Sequence, residues 1–142
     1  MPGEILLAED NPADVYLIRR ALRDHGVDRL IRVSGDGKDT LQILSREGTY
    51  RERESLDLII LDLNLPRHDG IEILERLRAT EEFDRVPVVV LTSSDSPRDR
   101  QSANRLGATL YLRKPTSLEQ FLAMGQLFKG LLERPAVQSH GS

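Results

Sequence analysis

Five short apolar runs recur along this chain, and each is followed by a stretch whose apolar residues return every three or four positions. Alternation of those two periods, repeated five times, leaves room for little but strands feeding helices. The first run is Glu4 to Ala8. Asn11-Pro12 then supplies a cap and a first-turn proline for a helix that carries Val15, Ile18 and Leu22 on one face and ends near His25-Gly26. A weaker strand, Arg29 to Ser34, precedes a helix through Leu41, Ile43 and Leu44 that stops at Gly48, and Thr49 to Ser55 reads as a charged loop. Leu56 to Leu61 is the most hydrophobic run, as a central strand buried on both faces requires. After a loop from Leu63 to Asp69 come a helix with Ile71, Ile73, Leu74 and Leu77, a β-branched strand from Val86 to Leu91, and a helix from Pro97 to Leu106 closed by Gly107. A strand from Ala108 to Arg113 and a helix from Ser117 to Glu133 complete one domain over 1–133, and 134–142 reads as a flexible tail.

Strands joined through helices run parallel, and right-handed crossovers favour the order 2-1-3-4-5, the flavodoxin-like (βα)5 doubly wound α/β fold. Its switch point lies between strands one and three. Glu9-Asp10 end the first of these and Asp62 the other, so the acids meet in the crevice where such folds place their ligands. Thr92-Ser93-Ser94 ends strand four, and Lys114-Pro115 ends strand five. Carboxylates gathered at one sheet edge repel one another unless a cation sits among them, and the lysine is placed to meet an anion. The pattern suits a metal beside a phosphate. A cis Lys114–Pro115 bond in a tight turn would aim the lysine inward.

Each residue has a plainer explanation. Asp10 or Asn11 serves as a helix cap, Asp62 as a turn former, Thr92 as part of a polar loop and Lys114 as a surface ion-pair partner. Four such signals at four strand ends of one edge outweigh those explanations. Composition excludes other classes. With 142 residues, 39% of them hydrophobic, the chain builds one core. A net charge of -3 with dispersed arginines gives no footprint for nucleic acid or an anionic membrane. The chain has no cysteine, no stretch long enough to span a bilayer and no signal-peptide pattern, so a soluble cytoplasmic protein is expected.

The motifs Leu6-Leu7-Ala8-Glu9-Asp10-Asn11, Leu61-Asp62-Leu63-Asn64-Leu65-Pro66 with Asp69-Gly70, Leu91-Thr92-Ser93 and Tyr111-Leu112-Arg113-Lys114-Pro115 resemble those of receiver domains of two-component response regulators. The resemblance runs from Ile5 to about Leu132. It implies that Asp62 accepts a phosphoryl group from a phosphohistidine on a sensor histidine kinase. It also implies that Glu9, Asp10, Asp62 and the backbone carbonyl of Asn64 surround Mg2+, for which Mn2+ or Ca2+ can substitute. Lys114 and Thr92 would hold phosphoryl oxygens, and Asn64 and Ser94 would tune hydrolysis. Thr92 and Tyr111 would form the switch, the threonine swinging toward the phosphoryl group and the tyrosine rotating into the vacated space. The segment from Ser96 to Gly107, anchored mainly by Ala103 and Leu106, is the expected low-stability switch element. Glu9 stands where two aspartates are common, and Thr116 replaces a common aromatic or hydrophobic residue.

No linker or second domain follows the fifth helix, so docking, phosphate shuttling or a phosphate sink is the expected mode of action. The long loops Thr49 to Ser55 and Glu81 to Pro87, with the residues around Pro115-Thr116, are similar to single-domain receivers paired with bacterial phytochrome kinases. On the last helix Leu118, Phe121, Met124, Leu127, Phe128, Leu131 and Leu132 cover an arc of roughly 200°, which predicts a homodimer through the fourth and fifth structural units. A flavin carrier would want a Ser/Thr/Gly-rich phosphate loop where Glu9-Asp10 stands, and a haloacid dehalogenase phosphatase would want an acid where Asn64 stands. A degenerate receiver that only binds a partner is the nearer alternative, opposed by intact Asp62, Thr92 and Lys114.

Overall fold

The computed structural model describes residues 3–46, 54–67, 69–94 and 96–133. Among the described residues strands and α-helices alternate: β1 (Glu4–Ala8), α1 (Pro12–Asp24), β2 (Ile31–Ser34), α2 (Gly37–Leu44), β3 (Leu56–Leu61), α3 (Gly70–Ala79), β4 (Val88–Thr92), α4 (Pro97–Arg105), β5 (Leu110–Arg113) and α5 (Leu118–Leu132). The strands form one parallel sheet in the order β2-β1-β3-β4-β5, as the alternation predicts. The charged loop expected from Thr49 to Ser55 lies mostly outside the described residues, as does the tail at 134–142.

Strand pleating explains why the inner stretches of the central strands, Ile5 to Ala8, Leu58 to Leu61 and Val88 to Leu91, are apolar at every position. Ile5 and Leu7, Leu58 and Ile60, Val89 and Leu91 face α1 and α5, where they meet Ile18, Leu22, Phe121 and Phe128. Their neighbours Leu6, Ala8, Ile59, Leu61 and Val90 face α2, α3 and α4, meeting Ile43, Ile73, Leu74 and Ala103. Both faces are covered, so every residue of β1 and β4 is buried. The most extensive helix contact, between α1 and α5, needs Gly125, since a Cβ there would collide with the Ala21 carbonyl and the His25 ring.

Several boundaries shift for identifiable reasons. β4 starts at Val88 rather than Val86, because the Val86 N–H turns back to the Phe83 carbonyl (3.2 Å). It ends on Thr92, one residue later than the apolar run suggests. β5 starts at Leu110, since the Ala108 N–H bonds back to Ala103 (3.0 Å) past Gly107, whose φ of 95° suits glycine. The segment read as a long loop from Glu81 to Pro87 opens with a 3-10 turn, Glu81–Phe83. Arg78 pins it: one terminal nitrogen donates to the carbonyls of Phe83 (2.9 Å) and Val86 (2.8 Å), while its Nε donates to Gly107 (3.0 Å).

The last helix does not present one surplus apolar face. Phe121, Met124 and Phe128 are buried, and Leu131 and Leu132 are half-buried against the core. The exposed leucines are Leu118 and Leu127. Nine residues separate them, which at about 100° per residue places them on opposite margins of the buried stripe.

Candidate functional site

β1 and β3 are neighbours in register, with Ala8 opposite Leu61, so the residues that follow leave the sheet side by side. The Asp62 N–H donates to the Ala8 carbonyl (3.0 Å) and the Glu9 N–H to Ser34 (2.9 Å), which holds both at the carboxyl edge. Carboxylate oxygens of Glu9, Asp10 and Asp62 lie within 4.8 Å of one another. Glu9 and Asp62 are buried, at 2% and 4% exposure, whereas Asp10 is exposed. Burial pushes the Glu9 carboxyl up to about 7 from an ordinary 4.5, and the neighbouring Asp62 charge adds to this. Hydrogen bonds from Lys114 and the Asn11 N–H oppose the rise without cancelling it. Hard oxygens, an open side at Asp10 and a buried acid reluctant to ionise unaided suit a divalent cation that keeps water in its shell.

Lys114 enters from the other side. Its N–H donates to the Thr92 carbonyl (2.8 Å), which anchors the end of β5 to the end of β4. No described peptide bond is cis, Lys114–Pro115 included, so the inward aim of the lysine comes from its acidic partners. The ammonium meets Asp14 Oδ2 at 2.7 Å, Glu9 Oε1 at 2.8 Å and Asp62 Oδ2 at 3.0 Å. Burial alone would lower its pKa, but hydrogen bonds to Asp14, Glu9 and Asp62 outweigh that and hold it above the ordinary lysine value. The lysine is therefore charged throughout the physiological range. The other Asp62 oxygen, Oδ1, accepts from the Asn64 N–H (3.0 Å).

Thr92 is fully buried, and its Oγ1 accepts from Asn64 Nδ2 (3.2 Å) and the Ser94 N–H (3.2 Å). Ser94 donates through its hydroxyl to Asp99 Oδ2 (2.8 Å), which carries the chain of contacts into the first turn of α4. Tyr111 is already turned inward, 9% exposed, with its hydroxyl donating to the Ser94 carbonyl (3.4 Å). Arg100 of α4 covers the ring, its guanidinium carbon 4.6 Å from the centroid. Ala103 is the one buried residue of that helix, consistent with the sparse anchoring read from sequence.

The structure thus brings together Glu9, Asp10, Asp62, Asn64, Thr92 and Lys114, and places Ser94 and Tyr111 behind them. Sequence reading passed over Asp14, Asp99 and Arg100. Asp14 and Asp99 sit in the first turn of a helix, where an acid has an ordinary role in the helix dipole, and Arg100 is an ordinary exposed base, so no periodicity separates those roles from a contact across the fold. The available signal for Asp14 was its place three residues after the cap Asn11, since helical side chains lean back toward the N-terminus.

A family model described as the response regulator receiver domain matches residues 5–126. The chain is 35% identical to Response regulator Rcp1 of Synechocystis over 125 residues, covering 88% of this chain and 85% of that protein. The Mn2+-bound form of Rcp1 superposes with a TM-score of 0.87 at 34% identity, covering 95% and 98% of the two chains. The phosphorylated cyanobacterial phytochrome response regulator RcpA gives 0.86 at 33%, covering 93% and 94%. The bacteriophytochrome response regulator RtBRR gives 0.77 at 35%, covering 95% and 80%.

Proposed function

We propose that this chain, which belongs to the response regulator receiver family, accepts a phosphoryl group on Asp62 from a phosphohistidine of a sensor kinase and converts it into a change of binding surface. The observation that carries the reading is the setting of Asp62. It is buried, one oxygen faces Lys114, the other faces the Asn64 N–H, and two further carboxylates stand beside it. A helix dipole or a turn requires no such convergence.

In this reading one Asp62 oxygen attacks phosphorus and forms a new O–P bond. The P–N bond to the kinase histidine breaks, and its electron pair returns to the imidazole nitrogen. Lys114 and the Thr92 hydroxyl receive the phosphoryl oxygens. Glu9, Asp10, Asp62 and the backbone carbonyl of Asn64 are the ligands for Mg2+, with Mn2+ or Ca2+ as substitutes, and the Mn2+-bound form of Rcp1 supports a divalent ion there. When bound, the cation neutralises the carboxylates and the charge developing on the transferred group. Asn64 and Ser94 border the phosphoryl position and tune its hydrolysis. The chemistry is confined to the chain's own modification.

Phosphorylation draws on Thr92, and through Asn64, Ser94 and Asp99 it reaches α4, with Tyr111 and Arg100 as the covered face that responds. Similarity to RcpA and RtBRR supports a phytochrome-type histidine kinase as partner, in the cytoplasm. No described helix is long and apolar enough to cross a membrane. A homodimer through the fourth and fifth structural units belongs to the same proposal, and sedimentation before and after phosphorylation tests it. The central test is incubation with a small phosphodonor and Mg2+ followed by mass mapping of the acylphosphate. An adduct on Asp62 is expected. Its absence from the wild type would leave the degenerate, partner-binding receiver as the better reading.

A further inference from the structure

We infer that Asp14 is a positioning residue for Lys114, holding its ammonium at a fixed point on the α1 side while the reacting groups around it change. The inference rests on the reading of Asp62 as phosphoacceptor. A lysine ammonium has three N–H donors, and here each has a carboxylate partner: Asp14, Glu9 and Asp62. Glu9 and Asp62 belong to the group that meets the cation and the phosphoryl, so their hold on the lysine alters as the site is loaded. Asp14 is outside that group and makes the shortest of the three contacts, at 2.7 Å.

The placement of Asp14 is set by local structure. Asn11 caps α1, its Oδ1 accepting from the Ala13 N–H (2.9 Å) and the Asp14 N–H (3.3 Å), with Pro12 in the first turn. That cap fixes where the helix starts. The Asp14 side chain, 17% exposed, then reaches a lysine a hundred residues later in the chain, itself only 13% exposed. A flexible four-carbon stem left with two partners would settle onto Glu9 and Asp62, neutralising the oxygens that the cation and the phosphorus must reach.

Asp14→Ala should therefore slow uptake from a small phosphodonor by about tenfold, less than the roughly hundredfold that a full ångström of misplacement can cost, because Glu9 and Asp62 still hold the ammonium nearby. Asp14→Asn, which retains an acceptor without the charge, should fall between Asp14→Ala and the wild type, and Asp14→Glu should recover most of the loss. Small donors are used because α1 does not have to dock a kinase to react with them. Mn2+ binding followed by electron paramagnetic resonance gives a second readout without phosphoryl transfer. Asp14→Ala should weaken it several-fold in the wild-type background and leave it within about twofold in Lys114→Ala, the non-additivity expected of two groups in contact. Equal weakening in both backgrounds would make Asp14 a general charge or helix-start residue and overturn the inference. So would unchanged uptake in Asp14→Ala. A wild-type protein that takes up no phosphoryl group would instead overturn the reading of Asp62, and the Mn2+ measurements would still decide the role of Asp14.

Discussion

The two edges of the sheet treat buried carboxylates in opposite ways. At the amino edge, Glu4 opens β1 with 3% exposure, yet Arg32 forks onto its two oxygens at 2.7 and 3.1 Å, and the Glu54 N–H adds a third contact at 3.0 Å. Nearby, Asp57, the half-buried second residue of β3, is held by Arg29 and by the Gly3 N–H. At the carboxyl edge the same two strands lead directly into Glu9 and Asp62, and these share the single ammonium of Lys114 with Asp14, while Asp10 stands beside them. A buried acid is therefore no functional signal by itself. The signal is the ratio: the amino edge supplies a guanidinium for each acid, and the carboxyl edge gathers four acids around one lysine. The first arrangement is complete as it stands, and the second is complete only with more positive charge.

The sharpest way to break that contrast is Asp62→Asn, which should abolish the acylphosphate altogether while leaving the fold intact. An equal adduct on the variant, found by mass mapping, would refute the assignment of the carboxyl edge. Next in size is Arg32→Ala at the amino edge, which strips Glu4 of its forked partner. Denaturant melts should show a loss of about 2 kcal/mol, below the figure for a wholly buried pair because Arg32 keeps some contact with water. Phosphoryl uptake per folded molecule should stay at the wild-type rate. If it fell in step with stability, the two edges would not be separable.

A subtler difference concerns pH. The Glu9 carboxyl lies near 7 in the folded chain and near 4.5 when unfolded, so between those values the folded state binds a proton that the unfolded state has lost. That contribution to stability is fully present below 4.5 and drains away as pH rises through 7. Melting temperatures of metal-free protein should thus drop from pH 5 to pH 8, and Glu9→Gln should flatten the profile and weaken Mn2+ binding. An unchanged slope in that variant would assign the pH dependence elsewhere. The smallest effect is expected at Arg100, whose stacking on Tyr111 is worth about 0.5–1 kcal/mol at an exposed site. Arg100→Ala should increase amide exchange around Tyr111 and α4 without touching either edge.

Much of this was legible in the chain order. Short continuous apolar runs, helical stretches with period 3.6 and short connections leave one economical sheet, and that sheet places the ends of β1 and β3 together before any side chain is considered. Glu9, Asp10, Asp62, Thr92 and Lys114 were accessible because each interrupts an apolar pattern at a strand end. The arc on α5 illustrates the opposite case. Helical periodicity counts Leu118 and Leu127 as one broad face with the core residues, yet packing against α1 buries the middle of that arc and leaves the two leucines on separate margins.

What the sequence by itself determined is the register of strands and helices, and hence which residues stand at one edge, because side-chain period and crossover handedness are local properties. What only the tertiary structure decided is who pairs with whom across the chain. Asp14 meets Lys114, Arg100 covers Tyr111 and Arg32 holds Glu4, through contacts spanning 100, 11 and 28 residues. Those choices depend on distances of a few ångströms between side chains of ordinary character, which no pattern of residue types records.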